Sequence, residues 1–264
     1  MQYIDIHSHI NLSPLASEQD AVIDHMQRER IGSITVGVDL ETSREAIELA
    51  ENNPDILWAT VGLHPTDNVS ESFAYDAYLD LAKNEKVVAI GECGLDYYRS
   101  QDIDMKEKQK TLFLEHIKLA QAVTKPLMIH ARPSKGTMDA YEDVLDILES
   151  IENPPRANFH FFLGNVPIAS RILKLGGTMS FDGPITFTKD YDEVIQYIPL
   201  ESLHAETDAP FAAPVPYRGQ TNYPYYVSHI VERIASIKSL SVEEVRLQLL
   251  KNAQNFFSIS ILEG

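Results

Sequence analysis

Eight short apolar, β-rich runs recur along the chain, each followed by a segment of helical period, and this alternation constrains the fold more than any other feature. The runs lie near Tyr3–His7, Ser33–Val38, Trp58–Leu63, Val87–Glu92, Leu127–His130, Asn158–Phe161, Thr178–Phe181 and Leu203–Glu206. Most are continuous apolar stretches, as expected of parallel strands covered on both faces. Helical period marks Glu18–Arg30, Thr42–Asn52, Ala74–Asn84, Met105–Val123, Met138–Ser150, Pro167–Lys174, Tyr191–Tyr197 and Pro224–Ile237. Within Met105–Val123, for example, Phe113, Ile117 and Ala120 share one face.

Alternating strands and helices argue for a parallel sheet. Eight such units in 264 residues argue for closure into an α/β (β/α)8 TIM-type barrel, a fold that typically takes about 250 residues. An extra C-terminal helix, Val242–Phe256, follows the eighth unit, and one domain, 1–264, is expected. An open doubly wound sheet is the alternative. The Pro/Tyr-rich connection Pro214–Pro224 is expected to lie over the barrel mouth, where functional loops sit.

The single cysteine, Cys93, excludes an intrachain disulfide. No apolar run approaches roughly 18 residues, and Met1–Asp5 leads straight into the first strand without a basic, apolar leader. A cytoplasmic protein with no membrane association and no protein partner is expected. Asn68-Val69-Ser70 matches a glycosylation acceptor pattern, which carries no weight without a leader. The net charge of -17 is the wrong sign for a protein that coats nucleic acid by neutralising phosphates. An anionic substrate therefore requires a local positive site.

Histidines and carboxylates at the strand ends supply one. In Asp5-Ile6-His7-Ser8-His9, two histidines two residues apart point the same way from a strand. Glu92 ends the fourth run, His130 the fifth, His160 the sixth and Asp208 follows the eighth. Four imidazoles and two carboxylates on the chemistry-bearing rim suit zinc, manganese or cobalt, with magnesium less natural for so many nitrogens. Two divalent ions bring +4 and two carboxylates -2, leaving about +2 at the mouth, enough to hold a hydroxide and clamp a phosphoryl group. Asp5 and Glu206 are read as supporting groups and not ligands. Cys93 is read as packing on the face opposite Glu92. His25, His116, His204 and His229 are read as structural.

At these residues the chain resembles the TatD family of metal-dependent deoxyribonucleases among the amidohydrolase-like barrels. The matching motifs are Asp5-x-His7-x-His9, Gly62-Leu63-His64-Pro65, Gly91-Glu92-x-Gly94-Leu95-Asp96-Tyr97, His130-x-Arg132, His160-x-Phe162-x-Gly164 and Glu206-Thr207-Asp208-x-Pro210. The resemblance covers essentially the whole chain, and six motifs in order are far more specific than any one. It implies one metal on His7, His9, Glu92 and Asp208, and a second on Glu92, His130 and His160, with Glu92 as the bridge. It further implies that Asp208 takes a proton from the attacking water and that His64, Tyr97 and Arg132 sit near a substrate phosphate. From the residues alone, Arg132 is equally a partner for a carboxylate.

Three departures bear on the substrate. Phe161 and Leu163 stand where the family often has Cys and a small hydroxyl residue. The segment Pro133–Thr137 is longer than usual, and the loop Arg218–Pro224 lacks the Arg and Glu that usually flank Asn222. The resemblance implies cleavage of DNA phosphodiester bonds with magnesium or other divalent ions, at ends or in single strands. Hydrolysis of an amide, ester or lactone on the same scaffold, and metal binding without catalysis, are the other readings.

Overall fold

The computed structural model describes residues 1–66 and 73–260. The Asn68-Val69-Ser70 pattern lies outside the described residues. Eight strands form one parallel sheet in sequential order: β1 (Tyr3–Ser8), β2 (Ile31–Val36), β3 (Leu57–Val61), β4 (Val87–Asp96), β5 (Leu127–Arg132), β6 (Ala157–Phe159), β7 (Thr178–Phe181) and β8 (Leu203–Ala205). The sheet closes on itself through the segment beyond β8. Ser8 bridges Ala209 in parallel, the Asp208 amide donates to the His7 carbonyl at 2.9 Å, and the His9 amide donates to the Ala209 carbonyl at 2.7 Å.

The helices α1 (Gln19–Glu29), α2 (Leu40–Asn52), α3 (Tyr75–Ala82), α4 (Ile103–Val123), α5 (Asp139–Ser150), α6 (Val166–Lys174), α7 (Asp192–Tyr197) and α8 (Val227–Lys238) follow the strands in turn, and α9 (Val242–Phe257) ends the described fold. Side-chain caps define several starts: Asp39 and Thr42 form a reciprocal box at α2, and Asp102, Asn165 and Ser241 cap α4, α6 and α9. Among the described residues, no helix is long and apolar enough to cross a membrane.

Alternation along the strands separates two cores. Ile31, Leu57, Ala59, Val87, Leu127 and Ile129 pack outward against the helices. Ile4, Ile6, Ile34, Val36, Trp58, Val88 and Met128 form a separate cluster, joined by Leu250, Ala253, Phe256 and Phe257 of α9, which therefore seals the strand-start end. The extra helix thus fills the floor of the barrel and leaves the strand-end face for the site.

The register slips by one residue in β1 between Asp5 and Ser8, and in β4 between Ile90 and Cys93. Slips of this kind re-aim side chains beside active sites. In β4 the slip depends on glycine. A Cβ at Gly91 (φ +154°) would lie 2.4 Å from the Met128 carbonyl oxygen, and one at Gly94 (φ +134°) would lie 2.1 Å from that of His130. Glu92, between them, is carried to the barrel axis while the strand continues to Asp96.

Candidate metal centre

Glu92 is buried and offers one carboxylate oxygen to each of two groups of side chains. Its Oε2 lies 3.6 Å from His7 Nε2 and 3.7 Å from His9 Nε2. Asp208 Oδ1 lies 3.6 and 3.4 Å from the same two nitrogens, which are 3.2 Å apart. Four donors bonded at about 2.0–2.1 Å to one tetrahedral ion would be separated by about 3.3–3.4 Å. The first group thus has the spacing of a coordination shell. Its residues come from the β1 end, β4 and the segment after β8.

The other oxygen, Oε1, lies 2.8 Å from His130 Nδ1 and 2.8 Å from His160 Nε2, and those nitrogens are 3.3 Å apart. This second group has three donors. It opens onto a cavity of about 760 Å³ whose lining includes His9, Glu92, His130, His160 and Asp208.

Surrounding groups fix which ring nitrogen faces the centre. His9 Nδ1 lies 3.2 Å from the Val36 carbonyl, so it carries the proton and Nε2 keeps its lone pair. His130 Nε2 lies 3.1 Å from Asp96 Oδ2, which leaves Nδ1 for the centre. His160 turns Nε2 to the centre, and its buried Nδ1 lies 3.4 Å from Glu206 Oε1, an approach that is electrostatic and not a formed hydrogen bond. Partners of this kind orient metal-binding imidazoles and raise their basicity. His64 is arranged the opposite way. The Thr66 amide donates to its Nδ1 at 3.3 Å, so the proton sits on Nε2, 3.5 Å from Glu92 Oε1. His64 therefore presents a hydrogen-bond donor to the cavity, and burial pushes its pKa down to about 3, which keeps it neutral.

The electrostatics favour a cation. With no ion bound, burial pushes the Glu92 carboxyl upward, yet the charge of protonated His160 and the hydrogen bonds from protonated His130 and His160 outweigh it and hold the group well below its usual range. Burial likewise disfavours Asp208 ionisation, and, with no ion bound, the bond from protonated His9 and the positive charge around it outweigh that. Both carboxylates thus stay charged, and a divalent ion would take the place of the protons that His9, His130 and His160 carry toward them.

Nearly all expected site residues converge. His7, His9, Glu92, His130, His160 and Asp208 form the two groups, and His64 and Arg132 line the cavity. Tyr97 does not join them. It is 1% exposed, and its hydroxyl donates to Asp143 at 2.7 Å on the helix side of the sheet. Strand alternation explains this correction: Tyr97, like Cys93, takes the parity opposite to Glu92. From the segment Pro214–Pro224, Asn222 donates to the Thr207 and Phe211 carbonyls at the strand-end rim, and the cavity lining from this connection is Phe211 and Ala212.

Asp5 and Glu206 both lie beside the centre, and Glu206 also falls with His7 and His160 in a group whose ligand atoms lie within 4.8 Å of one another. Asp5 accepts from the amides of His7 and Thr207 at 3.1 and 2.9 Å and from the Thr207 hydroxyl at 2.6 Å, tying β1 to the segment that carries Asp208. Glu206 accepts from the Ser180 hydroxyl at 2.6 Å as well as facing His160. Cys93 is buried in the outer core. Asp96, Thr66, Arg99 and Phe211 escaped the sequence reading, with Arg99 lining the cavity beside Arg132 and Phe211 lining it from the segment after β8. Only Asp96 gave a signal, since it shares the parity of Glu92 on an acidic strand end.

The family model described as TatD related DNase matches residues 4–258. An uncharacterized metal-dependent hydrolase of Bacillus subtilis, YabD, is 37% identical over 261 residues, covering 97% of this chain and 99% of that protein. A relative from Mycobacterium tuberculosis, an uncharacterized metal-dependent hydrolase called TatD, is 32% identical, covering 97% of this chain and 98% of its own length. Among solved structures, the TatD homologue YjjV of Escherichia coli superposes with a TM-score of 0.85 at 28% identity, over 98% of this chain and 99% of that one.

Proposed function

The chain belongs to the TatD-related DNase family of metal-dependent hydrolases, and on that premise we propose that it cleaves DNA phosphodiester bonds at strand ends or in single-stranded stretches, with two divalent ions held on either side of Glu92. The observation that supports this reading is the division of the Glu92 carboxylate between two groups of possible donors, the first at coordination spacing and the second drawn together by hydrogen bonds. The histidine-rich donors suit zinc or manganese better than magnesium. Such ions, when bound, polarise a phosphoryl oxygen and lower the pKa of water.

The chain's own residues supply the rest. Glu92 sets the spacing of the two groups. Asp208, held charged at the mouth, accepts the proton of the attacking water. His64 donates its Nε2 proton to a phosphate oxygen. Arg99 and Arg132 add positive charge on the β4–β5 side of the cavity. Against a net charge of -17, this mouth is where a phosphodiester meets positive charge. A strand end enters it with few phosphates near the acidic exterior, whereas a continuous duplex brings many.

The test compares a short single-stranded oligonucleotide with covalently closed plasmid, using protein loaded with zinc, manganese or magnesium. Faster cleavage of the oligonucleotide is expected, with KM rising only weakly with salt, because few phosphates are neutralised. Equal rates on the two substrates would overturn the end preference. Turnover of amide, ester or lactone substrates with none on phosphodiesters would overturn the nuclease reading.

A further inference from the structure

The mouth of the site is chemically two-sided. Arg99 and Arg132 line it from the β4–β5 side, and Phe161, Leu163, Phe211 and Ala212 line it from the segments after β6 and β8. The Phe211 ring stands 53% exposed, with its centroid 6.1 Å from that of His9 in an edge-to-face arrangement. The Phe161 ring has the same relation to His160, at 6.4 Å. One phenyl ring therefore adjoins a ligand of each donor group.

Both rings project from backbone held by buried polar side chains. Phe161 adopts φ +45°, which a bulky residue rarely takes, and its amide donates to the Glu206 carboxylate. Phe211 follows Asp208 in a turn closed by a 2.8 Å bond from its amide to the Asp208 carbonyl. The fully buried Asn222 amide donates to the Phe211 carbonyl at 2.6 Å and to the Thr207 carbonyl at 2.7 Å. Two carbonyls that an apolar loop would leave unpaired are thus spent on fixing where an exposed ring stands. Holding apolar rings at a wet, cationic mouth gains little for folding, and it pre-organises a surface for a ligand.

We infer that Phe161 and Phe211 form an aromatic seat for the nucleobase at the reacting end of the substrate, while Arg99 and Arg132 take the adjoining phosphate. This rests on the phosphodiester reading and adds what that reading leaves open, the source of affinity for a terminal nucleotide. Every base has a π face, so stacking of this kind tolerates all four bases. The charge division orients the substrate: phosphates cannot gain from the apolar side, and a base gains little from the arginines' charge.

The experiment uses the metal-loaded full chain and short single-stranded oligonucleotides whose terminal unit is either a normal nucleotide or an abasic sugar. A parallel pair of phosphorothioate oligonucleotides carries 2-aminopurine at the 3′ or the 5′ end, and its fluorescence reports stacking without turnover. The base-bearing substrate should show a KM lower by about 5- to 150-fold than the abasic one, the range that stacking on aromatic side chains supplies. The 2-aminopurine should be quenched at one end. Phe161→Leu and Phe211→Leu keep apolar volume and remove the π face. Each should weaken the quenching and raise KM for the base-bearing substrate toward the abasic value, with kcat little changed. Equal KM for the two substrates, with both cleaved, would overturn the seat and leave the nuclease reading standing. Failure to bind or cleave any oligonucleotide would overturn both.

Discussion

Asp96 Oδ2 lies 3.1 Å from His130 Nε2, and this contact decides which ring nitrogen of His130 faces Glu92. Asp96 is fully buried at the end of β4, and its other oxygen accepts the Arg99 amide at 2.8 Å. Asp96→Asn keeps the size and removes the charge that fixes the tautomer. Loss of such a supporting partner typically costs about 10- to 100-fold in metal affinity or activity. A weaker zinc titration together with lower turnover is expected, and an unchanged metal affinity would show that Asp96 serves Arg99 alone.

Glu92→Gln should lower metal binding in both donor groups at once, because each uses a different oxygen of the same carboxylate. Elemental analysis should find the ion content reduced below that of a variant altered at His7 alone, and activity should be largely lost. Retention of one full equivalent with near-normal turnover would show that Glu92 serves only one group.

Asp208→Asn should cost far more in kcat than in KM. The amide oxygen still reaches toward His7 and His9 but accepts no proton from water. Loss of a general base typically costs about 10²- to 10⁴-fold in rate. Steady-state kinetics on the oligonucleotide decides it: an unchanged kcat would remove Asp208 from the proton transfer.

The barrel and its strand-end donor residues were legible because both obey local rules. Buried parallel strands read as continuous apolar runs, and histidines or acids ending such runs have few structural uses. What was not legible depends on register. β4 continues past a slip between Ile90 and Cys93 to Asp96, four residues beyond the run that the apolar pattern ends at Glu92, and so the role of Asp96 was hidden. Thr66 and Arg99 act through short-range contacts, to His64 and Asp96, that depend on how the turns after β3 and β4 fold. Tyr97 was misplaced because its motif neighbours face the mouth, while its own parity turns it toward Asp143.

Tyr97→Phe therefore separates proximity in sequence from proximity in the site. It removes a hydrogen bond to Asp143, worth about 0.5–1.5 kcal/mol, and leaves the mouth intact. Denaturant unfolding should show that loss, with kcat/KM on the oligonucleotide unchanged. A large fall in kcat/KM at unchanged stability would put the hydroxyl back at the substrate.

The acid limb of the stability curve should report His116, which lies outside the metal centre. It is fully buried on α4, its Nδ1 lies 2.9 Å from the Leu112 carbonyl, and its Nε2 accepts the Leu63 amide at 2.9 Å. The ring is therefore neutral with the proton on Nδ1. A second proton would destroy the bond to Leu63, next to His64 in the chain. Burial pushes the pKa down to about 4 from an ordinary 6.5. Between those values the unfolded chain binds a proton that the native protein does not, so stability falls as pH falls. The contribution is fully present above about pH 6.5 and is lost progressively toward about pH 4, at up to about 1.4 kcal/mol per pH unit. The total is on the order of 3 kcal/mol. His116→Gln keeps an acceptor for Leu63 and a donor for Leu112 but does not titrate. Its unfolding free energy should be lower than that of the native chain at pH 7.5 and should fall less steeply between pH 6.5 and pH 4. Ligand titration contributes equally to both proteins and cancels in the difference. Parallel curves for the two would show that the folded ring takes up its proton over the same range as the unfolded chain, and that burial does not hold His116 neutral.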